Sequence, residues 1–252
     1  MTDAHNHLQD ARFDSIRETV VTEMLEAGVT RCVVNGTCPD DWPKVAELAK
    51  QYPDLVIPSF GLHPWKKPAD GWKEQLLYYL DAFPNSCLGE CGLDRWIKDY
   101  DIDLQTEIFT AQLEIATERN LPLTIHCLKA WGPLIDVLES HELPKRGFLL
   151  HSYGGSAELI PRLTKLGAYF SFSGYFLHPK KAKVLDVFRE VPSDRLLMET
   201  DAPDMLPPEN IITHPLSDEL NHPANLIAIM EAASKTLDTS LVNSNFETLF
   251  ES

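Results

Sequence analysis

Two histidines two residues apart, His5-Asn6-His7, stand near the start of the chain. Alternate residues of a β-strand project from one face, so a strand here lets both imidazoles reach a single ion. The pair alone decides little, because a polar strand end or a capping histidine uses the same residues. Four further groups with ligand chemistry, Glu90, His126, His151 and Asp201, lie far apart in the sequence. Imidazole and carboxylate donors suit divalent metal ions, and the sequence does not distinguish Zn, Mg, Mn, Fe and Ni. Six such donors exceed what one hydrolytic ion with open positions needs, so two divalent ions are the economical expectation. A paired centre lowers the pKa of water held there and clamps the attacked and leaving oxygens, which implies hydrolysis.

For these residues to meet, a scaffold must bring distant strand ends together. Short β-branched or apolar runs alternate with segments of helical period, the pattern of repeated βα units. Eight strands are predicted, at residues 2–7, 31–35, 55–61, 87–90, 122–126, 148–151, 168–173 and 196–200. Between them, apolar residues recur at helical spacing, as in Ile16, Val20, Met24 and in Leu104, Ile108, Ala111, Ile115. Gly28 and Gly167 are placed to stop helices, and Asp103 and Ser156 to cap them. A stretch with Pro203, Pro207, Pro208 and Pro215 leads into two last helices, around residues 223–235 and 239–250. Eight alternations predict an α/β fold, a closed TIM (β/α)8 barrel of the metal-dependent hydrolase type, with residues 1–252 as one domain. Glu90 closes the fourth strand, His126 the fifth and His151 the sixth, while Asp201 follows the eighth. The C-terminal strand ends of a parallel barrel converge on one face, so all six donors would share a cavity.

Composition agrees with a globular enzyme. The 252 residues are 44% hydrophobic and 24% charged, close to globular averages. The 38 acidic residues outnumber the 22 basic ones, and the net charge of -16 counts against tight binding of duplex nucleic acid. It does not exclude a nuclease, since bound divalent ions supply local positive charge. No leader or membrane span is evident, so a cytoplasmic protein without membrane contact is expected. The cysteines Cys32, Cys38, Cys87, Cys91 and Cys127 form no Cys-x-x-Cys pair and suggest small buried residues. Neither a P-loop, a dinucleotide-binding glycine fingerprint nor a Gly-x-Ser-x-Gly elbow is present.

The ordered segments His5-Asn6-His7, Gly61-Leu62-His63-Pro64, Gly89-Glu90-Cys91-Gly92-Leu93-Asp94, Ile125-His126, His151 and Glu199-Thr200-Asp201-Ala202-Pro203 resemble the motifs of the TatD-like metal-dependent hydrolases. The resemblance covers nearly the whole chain. It implies that His5, His7 and Asp201 hold one ion, that His126 and His151 hold the other, and that Glu90 bridges them. It further implies that Asp201 handles the proton of the attacking water and that His63 stands beside the substrate. Relatives in that family include DNases, so single-stranded DNA is the first expected partner and a small phosphoester the second. Three departures bear on substrate contacts. Leu128 stands where many relatives carry Arg, followed by Lys129 as a substitute cation. Ser152-Tyr153-Gly154-Gly155 replaces Cys-Phe-Ser-Gly, and Leu220-Asn221-His222-Pro223 replaces Arg-Asn-Glu-Pro.

Each singled-out residue also has a plain structural account. Glu90, His126, His151 and Asp201 could each be buried polar groups satisfied by backbone, and His63 a structural histidine before Pro64. Asp94 either orients a metal ligand or caps a turn. Lys129 either contacts a phosphate or is solvated. Trp65, Trp96 and Trp131 either form a stacking wall for a base or pack beneath loops. His178, His214 and His222 fall in loops facing the cavity or are surface histidines, and His141 has no assigned role. Three functions are therefore in view: a TatD-type phosphodiesterase or deoxyribonuclease, an amidohydrolase-like hydrolase of a small ester, amide or phosphoester, and a metal-binding protein without turnover. The oligomeric state is left open.

Overall fold

The computed structural model describes residues 1–251. Its strands are β1 (Thr2–Asn6), β2 (Arg31–Asn35), β3 (Val56–Phe60), β4 (Cys87–Asp94), β5 (Leu123–Leu128), β6 (Phe148–Leu150), β7 (Ala168–Ser173) and β8 (Leu196–Glu199). The α-helices are α1 (Arg17–Ala27), α2 (Trp42–Gln51), α3 (Trp72–Ala82), α4 (Ile102–Arg119), α5 (Trp131–Ser140), α6 (Ile160–Lys165), α7 (Ala182–Phe188), α8 (Leu226–Ala233) and α9 (Val242–Phe246). All neighbouring strands pair in parallel, in the order β1 to β8. This is the (β/α)8 barrel that the alternating pattern predicts.

The seam between β8 and β1 closes just beyond the strand ladder. Asp201 N donates to His5 O at 2.9 Å and His7 N to Ala202 O at 2.7 Å. Below them Asp3 accepts from Thr200 Oγ1 at 2.6 Å and Thr200 N at 3.0 Å, and from Asn6 Nδ2 at 3.1 Å. Burial lifts the Asp3 carboxyl to about 7 despite those donors. A polar side chain thus replaces ladder bonds where the barrel shuts.

Strand limits differ from the sequence expectation at the functional end. β4 runs on through Asp94, because Gly92 lets it press against β5. A Cβ at Gly92, whose φ is 142°, would lie 2.0 Å from His126 O. β6 stops at Leu150, which leaves His151 in the following turn, and β8 stops at Glu199.

Helix faces explain where periodicity misled. In α1, Val20, Val21 and Met24 are buried, and Gly28 ends the helix with φ 95°. In α4, however, Leu104 is exposed, and although Ile115 is buried as expected the buried face runs mainly through Gln105, Phe109, Gln112, Leu113 and Ala116. The two glutamines are buried because each completes a backbone edge. Gln112 accepts from Leu62 N at 2.7 Å and donates to Leu62 O at 3.2 Å, while Gln105 does the same to Asp94 N at 2.8 Å and Asp94 O at 3.0 Å. The N-cap of α4 is Asp101, accepting from Leu104 N at 3.0 Å, and Asp103 lies inside the first turn. Ser156 precedes only a short 3-10 turn and makes no side-chain cap bond.

The last two helices are shorter than predicted, and α9 continues as a π turn over Glu247–Glu251. This segment docks beneath the barrel. Asn245 Nδ2 donates to Ser193 O and Leu196 O, each at 2.8 Å, and Arg31 pairs with Glu251 at 2.5 Å. Phe246, Leu249 and Phe250 then pack with Ala4, Val33, Ile57, Cys87, Leu149, Tyr169 and Leu197, residues from seven strands. The end opposite the candidate site is plugged by apolar side chains. Among the described residues no helix is long and apolar enough to cross a membrane.

Candidate active site

At the C-terminal strand ends, five imidazoles surround one buried carboxylate. Glu90 Oε1 lies 3.1 Å from His63 Nε2, 3.1 Å from His126 Nδ1 and 2.9 Å from His151 Nε2. Its other oxygen, Oε2, lies 3.4 Å from His5 Nε2 and 3.2 Å from His7 Nε2. Asp201 Oδ1 stands 3.5 Å from both of those nitrogens. The ligand atoms thus divide into His5, His7, Asp201 on one side and His63, His126, His151 on the other. Glu90 presents one oxygen to each.

Such convergence splits the titration of the cluster: contacts with Glu90 raise His7, His126 and His151 against their burial, while His5 and His63 are lowered. Burial would raise the Glu90 carboxyl, but His63, His151 and His5 and the hydrogen bond from His126 hold it well below the usual range. Burial, with His151 beside it, pushes His5 down to about 3, and burial pushes His63 down to about 4. Both rings are therefore neutral. His7 is instead raised to about 9, since contacts with Glu90 and Asp201 outweigh its burial. Burial lifts Asp201 to about 7, with Glu199 and Glu90 adding to the effect against His151 and His7.

The donor set fits divalent ions. Imidazole nitrogens and carboxylate oxygens converge within metal-binding reach in three groups: His5, His7, Glu90; His63, Glu90, His126; and His5, His151, Glu199. No cysteine belongs to these groups among the described residues, and burial pushes the Cys32, Cys87 and Cys127 thiols up to about 12.

Outer partners aim the rings. Asp94 Oδ2 accepts from His126 Nε2 at 2.8 Å, which turns Nδ1 toward Glu90. The same oxygen accepts from Trp65 Nε1 at 2.7 Å, while Asp94 Oδ1 takes Trp96 N at 2.5 Å. Asp94 is thus both a turn cap and an orienting group. Asn35 O lies 2.7 Å from His7 Nδ1, and Gly61 must stay bare because a Cβ there would meet Gly89 at 2.6 Å. Asp201 itself sits in the left-handed region, φ 53°, held by its bond to His5 O.

The family follows from comparison with known proteins. Residues 2–251 match the model of the TatD related DNase family. The chain belongs to that family. It is 30% identical to the metal-dependent hydrolase YabD of Bacillus subtilis over 91% of this chain and 88% of the relative. It is 32% identical to a 3'-5' ssDNA/RNA exonuclease TatD of Dickeya dadantii over 82% of this chain and 80% of the relative. The crystal structure of YjjV, a TatD homologue of Escherichia coli K12, superposes with a TM-score of 0.90 at 27% identity, covering 100% of this chain and 98% of that one. This TatD-family chain is a metal-dependent hydrolase, and its buried histidine and carboxylate groups are suited to a divalent metal.

Several residues fall outside the expectations for the TatD motifs. His63, expected beside the substrate, has its Nε2 3.1 Å from Glu90 Oε1, among the groups that surround that carboxylate. Glu199 was quoted within a motif without a role, yet it is fully buried, lies 3.8 Å from His151 Nδ1 and accepts from Ser152 Oγ and Ser171 Oγ. Its position at the last residue of β8, at the same barrel end as Asp201, held the signal. Ser152, one of the departures from the family pattern, is therefore explained by its bond to Glu199. His222 is no surface histidine: it is buried, caps the turn before α8 by accepting from Ala224 N at 2.9 Å, and meets Glu23 of α1 at 2.9 Å. His178 contacts Leu206 O and His141 the end of α5. Trp131 packs on Tyr153, whereas Trp65 and Trp96 are exposed.

Proposed function

We propose that the chain is a two-metal phosphodiesterase, a nuclease that removes nucleotides from an end of single-stranded nucleic acid. The observation that carries this is the division of Glu90, whose two oxygens address separate groups of donors. In this assignment His5, His7 and Asp201 would hold one ion and His126 and His151 the other, with Glu90 available to both. His63 adds a nitrogen beside the second group. When bound, the ions supply Lewis acidity for water activation and neutralise phosphoryl charge.

The chain's own residues supply the rest. Asp201, whose Oδ1 stands 3.5 Å from His5 Nε2 and His7 Nε2, is the carboxylate placed to take the proton of the attacking water. Asp94 and Glu199 fix the rings of His126 and His151. Lys129, with φ 57° at the end of β5, supplies a cation where Leu128 does not. Residues 1–252 act as one unit in the cytoplasm. The exonuclease relatives motivate the substrate class.

Elemental analysis of the purified protein, paired with hydrolysis of single-stranded DNA and of a small base-free phosphodiester, tests this. About two ions per chain and metal-dependent DNA cleavage are expected. Cleavage of the small ester alone would instead favour a small-molecule hydrolase, the reading to which Leu128 and the net charge of -16 point. No bound or activating metal would overturn both.

A further inference from the structure

The loops that follow β3, β4 and β5 differ in character from the remainder of this acidic chain. Between their flanking elements they carry Lys66, Lys67, Arg95, Lys98 and Lys129 against only Asp70, Asp99 and Asp101. The whole sequence has the opposite balance, 22 basic to 38 acidic residues. The same loops also hold three of the large apolar side chains left in solvent: Trp65 is 55% exposed, Trp96 62% and Tyr100 43%. Water-exposed indoles gathered with cations beside a catalytic cleft mark a binding surface.

Their placement is continuous with the ligand cluster. The Trp65 ring lies edge to face with His63 at 4.9 Å and His126 at 5.9 Å. Its Nε1 is tied to Asp94 at 2.7 Å, so one edge is anchored while much of the ring meets solvent. Trp96 follows Asp94 by two residues, and Lys129 Nζ stands 3.9 Å from its ring centroid. That cation is held over an aromatic face and needs no carboxylate partner to stay in place.

We infer that Trp65, Trp96 and Lys129 form a stacking subsite for the bases of a single-stranded nucleic acid, with Lys129 and its basic neighbours taking adjacent phosphates. This rests on reading the metal centre as a phosphodiesterase. Base faces are open in a single strand and hidden in a duplex, and stacking on an aromatic ring tolerates any base. Stacking also suits a protein whose overall field repels polyanions, because the attraction acts only at contact. Trp65 joins the two tasks: its face receives the base, and its N–H steadies the carboxylate that orients His126.

The test is a titration of the metal-loaded protein with a short oligothymidylate whose phosphorothioate links resist cleavage, and with an abasic strand of the same length. Fluorescence of the exposed indoles and anisotropy of a labelled strand are both read. We expect quenching by the oligothymidylate, affinity for the abasic strand lower by about tenfold or more, and a similar loss for Trp65→Ala and Trp96→Ala. Trp65→Phe keeps a ring and should retain most of the affinity. Equal affinity for the two strands, or alanine variants that bind like the parent, overturns the subsite even if a base-free phosphodiester is hydrolysed. Base-dependent binding with no hydrolysis of any phosphodiester keeps the subsite and overturns the catalytic reading.

Discussion

Glu199 ends β8 and Asp201 lies two residues beyond it, yet they predict different failures. Asp201 faces the reacting side, so Asp201→Asn should lower kcat by about 10²- to 10⁴-fold, the range of a lost general base, in a steady-state DNA hydrolysis assay. The variant should still contain metal, since His5, His7 and Glu90 stay in place. Glu199 touches His151 and two serines and has no place on the substrate. Glu199→Gln should therefore weaken metal retention by about 10- to 100-fold against a chelator. Once metal is saturating, much of its activity should return. That His5, His7, Glu90, His126, His151 and Asp201 would converge was legible in the sequence because the fold maps strand ends to one place. Glu199 was obscured because a lone glutamate inside an apolar strand looks the same whether it orients a ligand or is simply buried.

Single elements carry more of the site than their own residues suggest. Gly92 has no chemistry, but a methyl group there would intrude on His126 O at 2.0 Å. Gly92→Ala should push β4 from β5, displace His126 and cost about 3 kcal/mol or more, seen as a lowered Tm and loss of metal. Periodicity could not have shown this, nor the glutamines of α4, because both record backbone meeting backbone. His222 gives the turn before α8 a pH response. Burial lowers its pKa from the ordinary 6.5 to about 4, against the pull of Glu23. The unfolded chain then binds more protons, so the contribution is complete above pH 6.5 and is lost as pH falls toward 4. With Glu23 partly in solvent, the loss is on the order of 1 kcal/mol. Denaturant midpoints from pH 7 to 4 should fall less steeply for His222→Asn, which keeps the capping acceptor without the titration.

At the scale of the molecule, the barrel is built between two closures. The β8–β1 seam near the mouth depends on Asp3, Thr200 and the backbone of Asp201, so closure and ligand placement are one structure. The floor depends on Phe246, Leu249 and Phe250. Phe246→Ala should cost about 3–5 kcal/mol by calorimetry or denaturant melts, while the folded fraction keeps its metal stoichiometry because the cavity opens at the other end. The sequence foretold helices near residues 223–235 and 239–250, but gave no sign that the second is a plug. Its apolar residues have the spacing of any surface helix, and only the assembled barrel supplies the opening they fill.

That plug sets an order on biosynthesis. Every residue of the candidate site, from His5 to Asp201, is made before the segment that seals the floor. As the chain leaves the ribosome, residues 1–241 can gather the ligands while the lower interior still opens to water. Until that segment docks, Val33, Ile57, Leu149 and Leu197 lack the apolar cover that Phe246, Leu249 and Phe250 give them in the finished barrel.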